Sequence, residues 1–123
     1  MKHIRFIIPG IVLLSVILIF QTVFYIGYVP SESMEPTIPA ESRILGIRIF
    51  SNLNVGDIIV FEHEGRNMVK RIAACPGDRL EDNSIVPDNQ YYVLGDNVKN
   101  SYDSRYWDYP FIHRRNIKAI VLF

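Results

Sequence analysis

The sequence predicts a small all-β domain, an antiparallel sheet or barrel, standing behind one N-terminal transmembrane helix. Three observations carry that expectation. Residues 6–31 hold no charged side chain and are dominated by Ile, Val, Leu and Phe; five short β-branched and aromatic runs follow; and clusters of Gly, Pro, Asn and Asp separate those runs. From residue 29 onward there is no sustained 3.6-residue amphipathic pattern.

The first element is the apolar run. Residues 6–28 are expected to form a transmembrane signal anchor, with 1–5 before it and a β-rich domain at 29–123. At ~1.5 Å per residue, about 23 residues span roughly 34 Å, enough for a hydrocarbon core of ~30 Å with modest tilt. Lys2 and Arg5 precede the run, so the positive-inside rule places the N-terminus in the cytoplasm and the remainder outside. A cleavable secretory signal would end in small residues, whereas Tyr25-Ile26-Gly27-Tyr28-Val29 is bulky nearly throughout.

Beyond the anchor, strands are expected at 43–49, 57–63, 67–73, 91–94 and 117–123. Glu64-Gly65-Arg66-Asn67 reads as a hairpin turn that lays residues 58–61 beside 68–72. Residues 76–90 and 98–110 read as loops, and the second is crowded with Ser, Asp, Tyr and Arg of the kind found at sites.

Charge and composition remove several function classes. The chain of 123 residues has 13 basic and 13 acidic side chains and a formal net charge of zero, so it has no basic face for nucleic acid. One cysteine, Cys75, leaves no internal disulfide and no thiolate metal cluster. His3, His63 and His113 lack ligand-like spacing and read as surface or interface residues; neither metal nor cofactor is expected.

Two residues stand out for chemistry. Ser33 lies a few residues beyond the anchor, at the membrane surface, and Lys70 lies in the middle of an apolar strand. A serine hydroxyl is a weak nucleophile that needs a base and an oxyanion donor. Lysine serves as that base when burial and a nearby cation, here Arg71, push its pKa down toward neutrality. A Ser-Lys dyad is therefore feasible. Alternation in the strand equally allows Lys70 to face solvent.

Four segments occur in one order: Ser31-Glu32-Ser33-Met34-Glu35-Pro36-Thr37; Gly56-Asp57-Ile58-Ile59-Val60-Phe61; Val69-Lys70-Arg71 through Pro76-Gly77-Asp78; and Leu94-Gly95-Asp96-Asn97 leading to Asn100-Ser101-Tyr102-Asp103-Ser104-Arg105-Tyr106-Trp107. Together they closely resemble type I signal peptidases of the bacterial kind, over nearly the whole chain. The resemblance implies that Ser33 is the nucleophile and Lys70 the general base. It implies an oxyanion hole made by the Ser31 hydroxyl and the Ser33 N–H, and a Ser101 hydroxyl that orients the lysine. Asp103 with Arg105 and Arg71 with Asp96 correspond to bracing pairs, Asn97 to further support, and Met34 to a side chain packed beneath the site. Val29, Ile38, Val60, Met68 and Val69 fall where shallow apolar pockets would accept the small residues of a small-x-small motif. The implied substrates are signal-peptide-bearing preproteins, met at the lipid bilayer in which the enzyme is anchored, and the resemblance implies a minimal-length member.

Three positions depart from the family's pattern: Glu32, where a small residue is usual, Val98, commonly basic, and Asp108, commonly Gly. Rival readings are a dedicated processing peptidase for pilins or one exported protein, and a non-catalytic assembly scaffold. A scaffold would be expected to lack Ser33 or Lys70. The expected location is the plasma membrane, single-pass, with an organelle inner membrane as the alternative.

Overall fold

The computed structural model describes residues 2–123 and begins with helix α1, Ile4–Val23. Twenty residues make about 30 Å of helix, and α1 is long and apolar enough to cross a membrane. None of its residues is buried against the rest of the chain. Two of its polar side chains are satisfied inside the helix, Ser15 Oγ donating to Ile11 O (2.8 Å) and Thr22 Oγ1 to Leu18 O (3.0 Å), which removes much of their cost in an apolar medium.

The helix stops sooner than the apolar run does. Phe24 turns to extended backbone (φ −104°, ψ 149°), and strand β1, Phe24–Val29, occupies residues that the sequence reading assigned to the anchor. Partnership is the reason: each residue of β1 pairs with β2, Ser42–Ile47, from Phe24 opposite Ile47 to Val29 opposite Ser42. Aromatic and β-branched residues suit that pleated surface, and the ladder outweighs continuation of the helix.

The remaining strands are β3, Ile58–His63; β4, Arg66–Ala74; β5, Gln90–Leu94; β6, Ile112–His113; and β7, Ile117–Val121. The sheet order is β1-β2-β7-β3-β4-β5-β6, with every pairing antiparallel. The five expected strands are all present, each within two residues of its expected bounds. The β3–β4 hairpin closes through Glu64 (φ 51°) and Gly65 (φ 77°), a two-residue left-handed turn whose twist matches the strands. It sets the register that puts Ile59 opposite Lys70.

Two apolar clusters hold the sheet. One gathers Leu53, Ile59, Phe61, Ile72, Tyr91, Val93, Trp107, Ile112 and Ile117. The other gathers Val29, Met34, Ile38, Ile44, Val60 and Ala119. Ile59 and Phe61 feed the first while Val60 feeds the second, as alternation along a strand requires. Met34, fully buried in the second cluster, fixes the turn that carries Ser33.

Candidate active site

Ser33 sits in the irregular segment that follows β1, pinned from both sides. Its carbonyl accepts the Asn97 N–H at 2.9 Å, and the Asn97 side-chain amide donates to Glu32 O at 3.0 Å. Ile38 N–H donates to Met34 O at 2.9 Å, closing a turn over the buried methionine. The Ser33 side chain is thereby delivered to Lys70, whose Nζ lies 2.7 Å from Ser33 Oγ. Both residues are buried, and Lys70 is only 3% exposed. Ser31 Oγ donates to Ser33 Oγ at 3.2 Å.

Burial pushes the Lys70 amine below its ordinary value; the Asp103 carboxylate opposes that shift and the Arg105 guanidinium reinforces it. The cation that matters is therefore Arg105, and the expectation that Arg71 plays this part is corrected. Adjacent strand residues point to opposite faces, and Arg71 instead forks onto Asp96 (Nε to Oδ1 2.9 Å, Nη2 to Oδ2 2.7 Å). Thr37 Oγ1 donates to the same carboxylate at 2.6 Å, so Asp96 ties the nucleophile segment to the lysine strand. The Arg71 fork holds the Asp96 carboxyl below the usual range.

A second brace is built on Asp103, which is fully buried. Its oxygens accept Arg105 Nε (2.8 Å), Arg105 Nη2 (2.8 Å), the Gly95 N–H (2.9 Å) and Ser101 Oγ (2.7 Å). Burial alone would raise this carboxyl's pKa, but the bonds from Arg105, Gly95 and Ser101 hold it down. Ser101, expected to bond the lysine, donates to Asp103 here because that anion is the strongest acceptor within its reach.

A cleft of about 610 Å³ opens beside the pair, walled by residues 28–31, 63–64 and 66–70 together with Ser33 and Tyr102. Val29, Met68 and Val69 line it. Ile38 and Val60 do not, and that expectation is corrected: both pack into the second apolar cluster, Val60 from the face of β3 opposite Ile59 and Phe61. His63, expected at the surface or an interface, is partly buried. It forms part of the cleft wall with its ring stacked on Trp107 at 3.8 Å between centroids, 19° from parallel.

Gly95 and Tyr102 escaped the sequence reading as site residues, although both lie inside the last of the quoted motifs. A Cβ on Gly95 would lie 2.0 Å from Ser101 Oγ, 2.5 Å from Ser101 Cβ and 2.7 Å from Ser33 O. Only glycine lets these three segments meet. Among the described residues there is no cluster of His, Cys, Asp and Glu suited to hold a metal ion.

The site thus places a buried amine against a serine hydroxyl, on an antiparallel sheet behind an apolar helix. The chain belongs to the signal peptidase family, peptidase S26, whose model matches residues 1–84 and 80–123. It is 35% identical over 119 residues to a probable signal peptidase I-2 of Synechocystis sp., covering 67% of this chain and 55% of that protein. It is 34% identical over 137 residues to a signal peptidase I of Leptolyngbya laminosa, covering 78% and 66% respectively. The chain thus spans between about half and two thirds of the length of these two relatives. An inactive signal peptidase IA of Staphylococcus aureus is 26% identical over 142 residues, 85% of this chain.

Proposed function

We propose that the protein is a membrane-anchored serine endopeptidase that removes signal peptides from exported preproteins after a small-x-small motif. The observation that carries this reading is the 2.7 Å contact between the buried Lys70 amine and Ser33 Oγ. It supports this reading over a non-catalytic scaffold of the same fold, which would need neither group. Helix α1 holds the protein in the bilayer, with the basic Lys2 and Arg5 side in the cytoplasm and the sheet outside, at the plasma membrane.

In this mechanism neutral Lys70 takes the Ser33 proton as Oγ attacks the scissile carbonyl, forming a tetrahedral oxyanion whose collapse breaks the C–N bond and leaves the acyl-enzyme. The Ser33 N–H has no protein acceptor among the described residues, so it is available to that oxyanion. The Ser31 hydroxyl, 3.2 Å from Ser33 Oγ, is the second donor. The Lys70 ammonium then returns its proton to the leaving amine, and a water activated by the same amine releases the signal peptide. Val29, Met68 and Val69 supply an apolar floor that admits small side chains and offers nothing to a charge. A signal peptide embedded in the same bilayer meets this cleft in two dimensions, which raises its effective concentration.

The test is cleavage of a purified preprotein in detergent or vesicles, with the new N-terminus sequenced. Cleavage after a small-x-small site by the parent, and none by Ser33→Ala at equal folded content, is the expected result; turnover by Ser33→Ala excludes Ser33 as nucleophile. The pH profile carries a second expectation. Only the unprotonated amine accepts a proton, so kcat/KM rises with pH through the lowered Lys70 pKa and falls away on the acid side. A rate constant across about pH 5 to 9 would exclude an amine base.

A further inference from the structure

We infer that Glu32 is a specificity-determining residue on the leaving-group side of the site, favouring substrates with a cationic residue just after the cut and disfavouring acidic ones. The inference rests on the reading of Ser33 as an acylating nucleophile and specifies which substrates that site prefers.

The backbone of Glu32 is fixed and its side chain is not. Its carbonyl accepts the Asn97 amide at 3.0 Å and the Glu35 N–H at 3.1 Å, holding its Cα between the two serines that carry the chemistry. Its side chain is exposed and, among the described residues, has no ion-pair partner within 4.0 Å. The other carboxylates near Ser33 are engaged. Asp96 is paired with Arg71 and Asp103 with Arg105, while Glu35 Oε1 accepts the Ala40 N–H at 2.9 Å. Lys99, in the short turn after Asn97, is exposed and, among the described residues, has no ion pair. Glu32 therefore presents an unmatched negative charge beside the nucleophile.

Its side of the site follows from the cleft. The cleft wall runs through residues 28–31, 63–64 and 66–70 and does not include Glu32. Strand β1, which supplies residues 28 and 29 to that wall, continues directly from α1, so a substrate segment anchored in the bilayer enters from that direction and becomes the acyl side. The residues after the scissile bond leave past Ser33 on the other side, over the segment that carries Glu32. A solvent-exposed carboxylate several ångströms from a substrate charge discriminates modestly, on the order of threefold for one charge and about tenfold between opposite charges.

The experiment compares three preprotein-derived peptides, identical on the acyl side, with Lys, Ala or Asp at the first position after the cut. Each is assayed with the parent, Glu32→Gln and Glu32→Lys at low salt and at about 0.5 M salt, where exposed charges are screened. The expected kcat/KM ratio, Lys peptide over Asp peptide, is about ten for the parent, near one for Glu32→Gln and inverted for Glu32→Lys. High salt should move the parental and Glu32→Lys ratios toward one while the Ala peptide changes by less than about threefold. A parental ratio near one, or one that Glu32→Gln leaves unchanged, overturns the inference alone. Failure of the parent to cut any of the three overturns the peptidase reading beneath it.

Discussion

Lys70→Met lowers cleavage by at least about 10³-fold, the scale of losing an essential base that acts as a unit with its nucleophile, and leaves the folded protein as stable as the parent or more so at neutral pH. The two effects share one cause. Lys70 is buried and its amine is destabilised as a cation, so the folded state binds a proton less readily than the unfolded chain. Between the lowered folded pKa and the ordinary value, stability rises with pH; below that window the folded state carries the full cost of a buried ammonium. Methionine has nearly the same length and no charge to bury, so it removes both this cost and its pH dependence. The measurements are kcat/KM on a preprotein and thermal unfolding at several pH values. Substantial turnover by the variant would reject Lys70 as the base, and a large fall in melting temperature would reject the claim that its burial is costly.

Gly95→Ala is the second large effect, expected to cost about 2–3 kcal/mol of stability by overpacking and at least ~10²-fold in activity through displacement of the nucleophile. The added methyl meets Ser101 Oγ, Ser101 Cβ and Ser33 O at once. Rotating the Ser101 side chain relieves only the first of these. The Cβ and the backbone oxygen do not move without shifting the loop that Asp103 braces or the turn that carries Ser33. Adding Ser101→Gly removes two of the three contacts, so the double variant should recover part of the lost stability, a coupling readable from a double-mutant cycle in denaturant unfolding. Parental activity and stability in Gly95→Ala would show that the three segments do not meet as tightly as the geometry requires.

Both predictions turn on how separate segments are brought together, and that is where sequence and structure divide. Local chemistry was legible. The runs that became β2, β3, β4, β5 and β7 announce themselves by composition and punctuation, and Glu64-Gly65 sets the hairpin register because the two positive φ values of a short turn favour such residues. Ser33, Lys70, the Asp103–Arg105 pair and the Arg71–Asp96 pair were all recognisable from their order along the chain. Residues 24–28 were not legible as strand. An apolar run reads alike as helix or strand, and the partner that settles the matter, residues 42–47, lies elsewhere in the sequence.

The environment of Lys70 was beyond the sequence for a related reason. Alternation shows that Lys70 and Arg71 face opposite ways, yet it does not say which way is in. Only the packed sheet buries Lys70 against Ser33, turns Arg71 toward Asp96, and makes the distant Arg105 the cation that acts on the amine. Ile38 and Val60 failed as pocket residues on the same account, since apolar character fits a core wall and a cleft wall equally well. The sequence alone determined five of the strands and marked the candidate reactive groups, because those depend on nearest neighbours and residue type. Tertiary structure decided burial, and with it the lysine's proton affinity, because desolvation depends on what the rest of the chain places around a group.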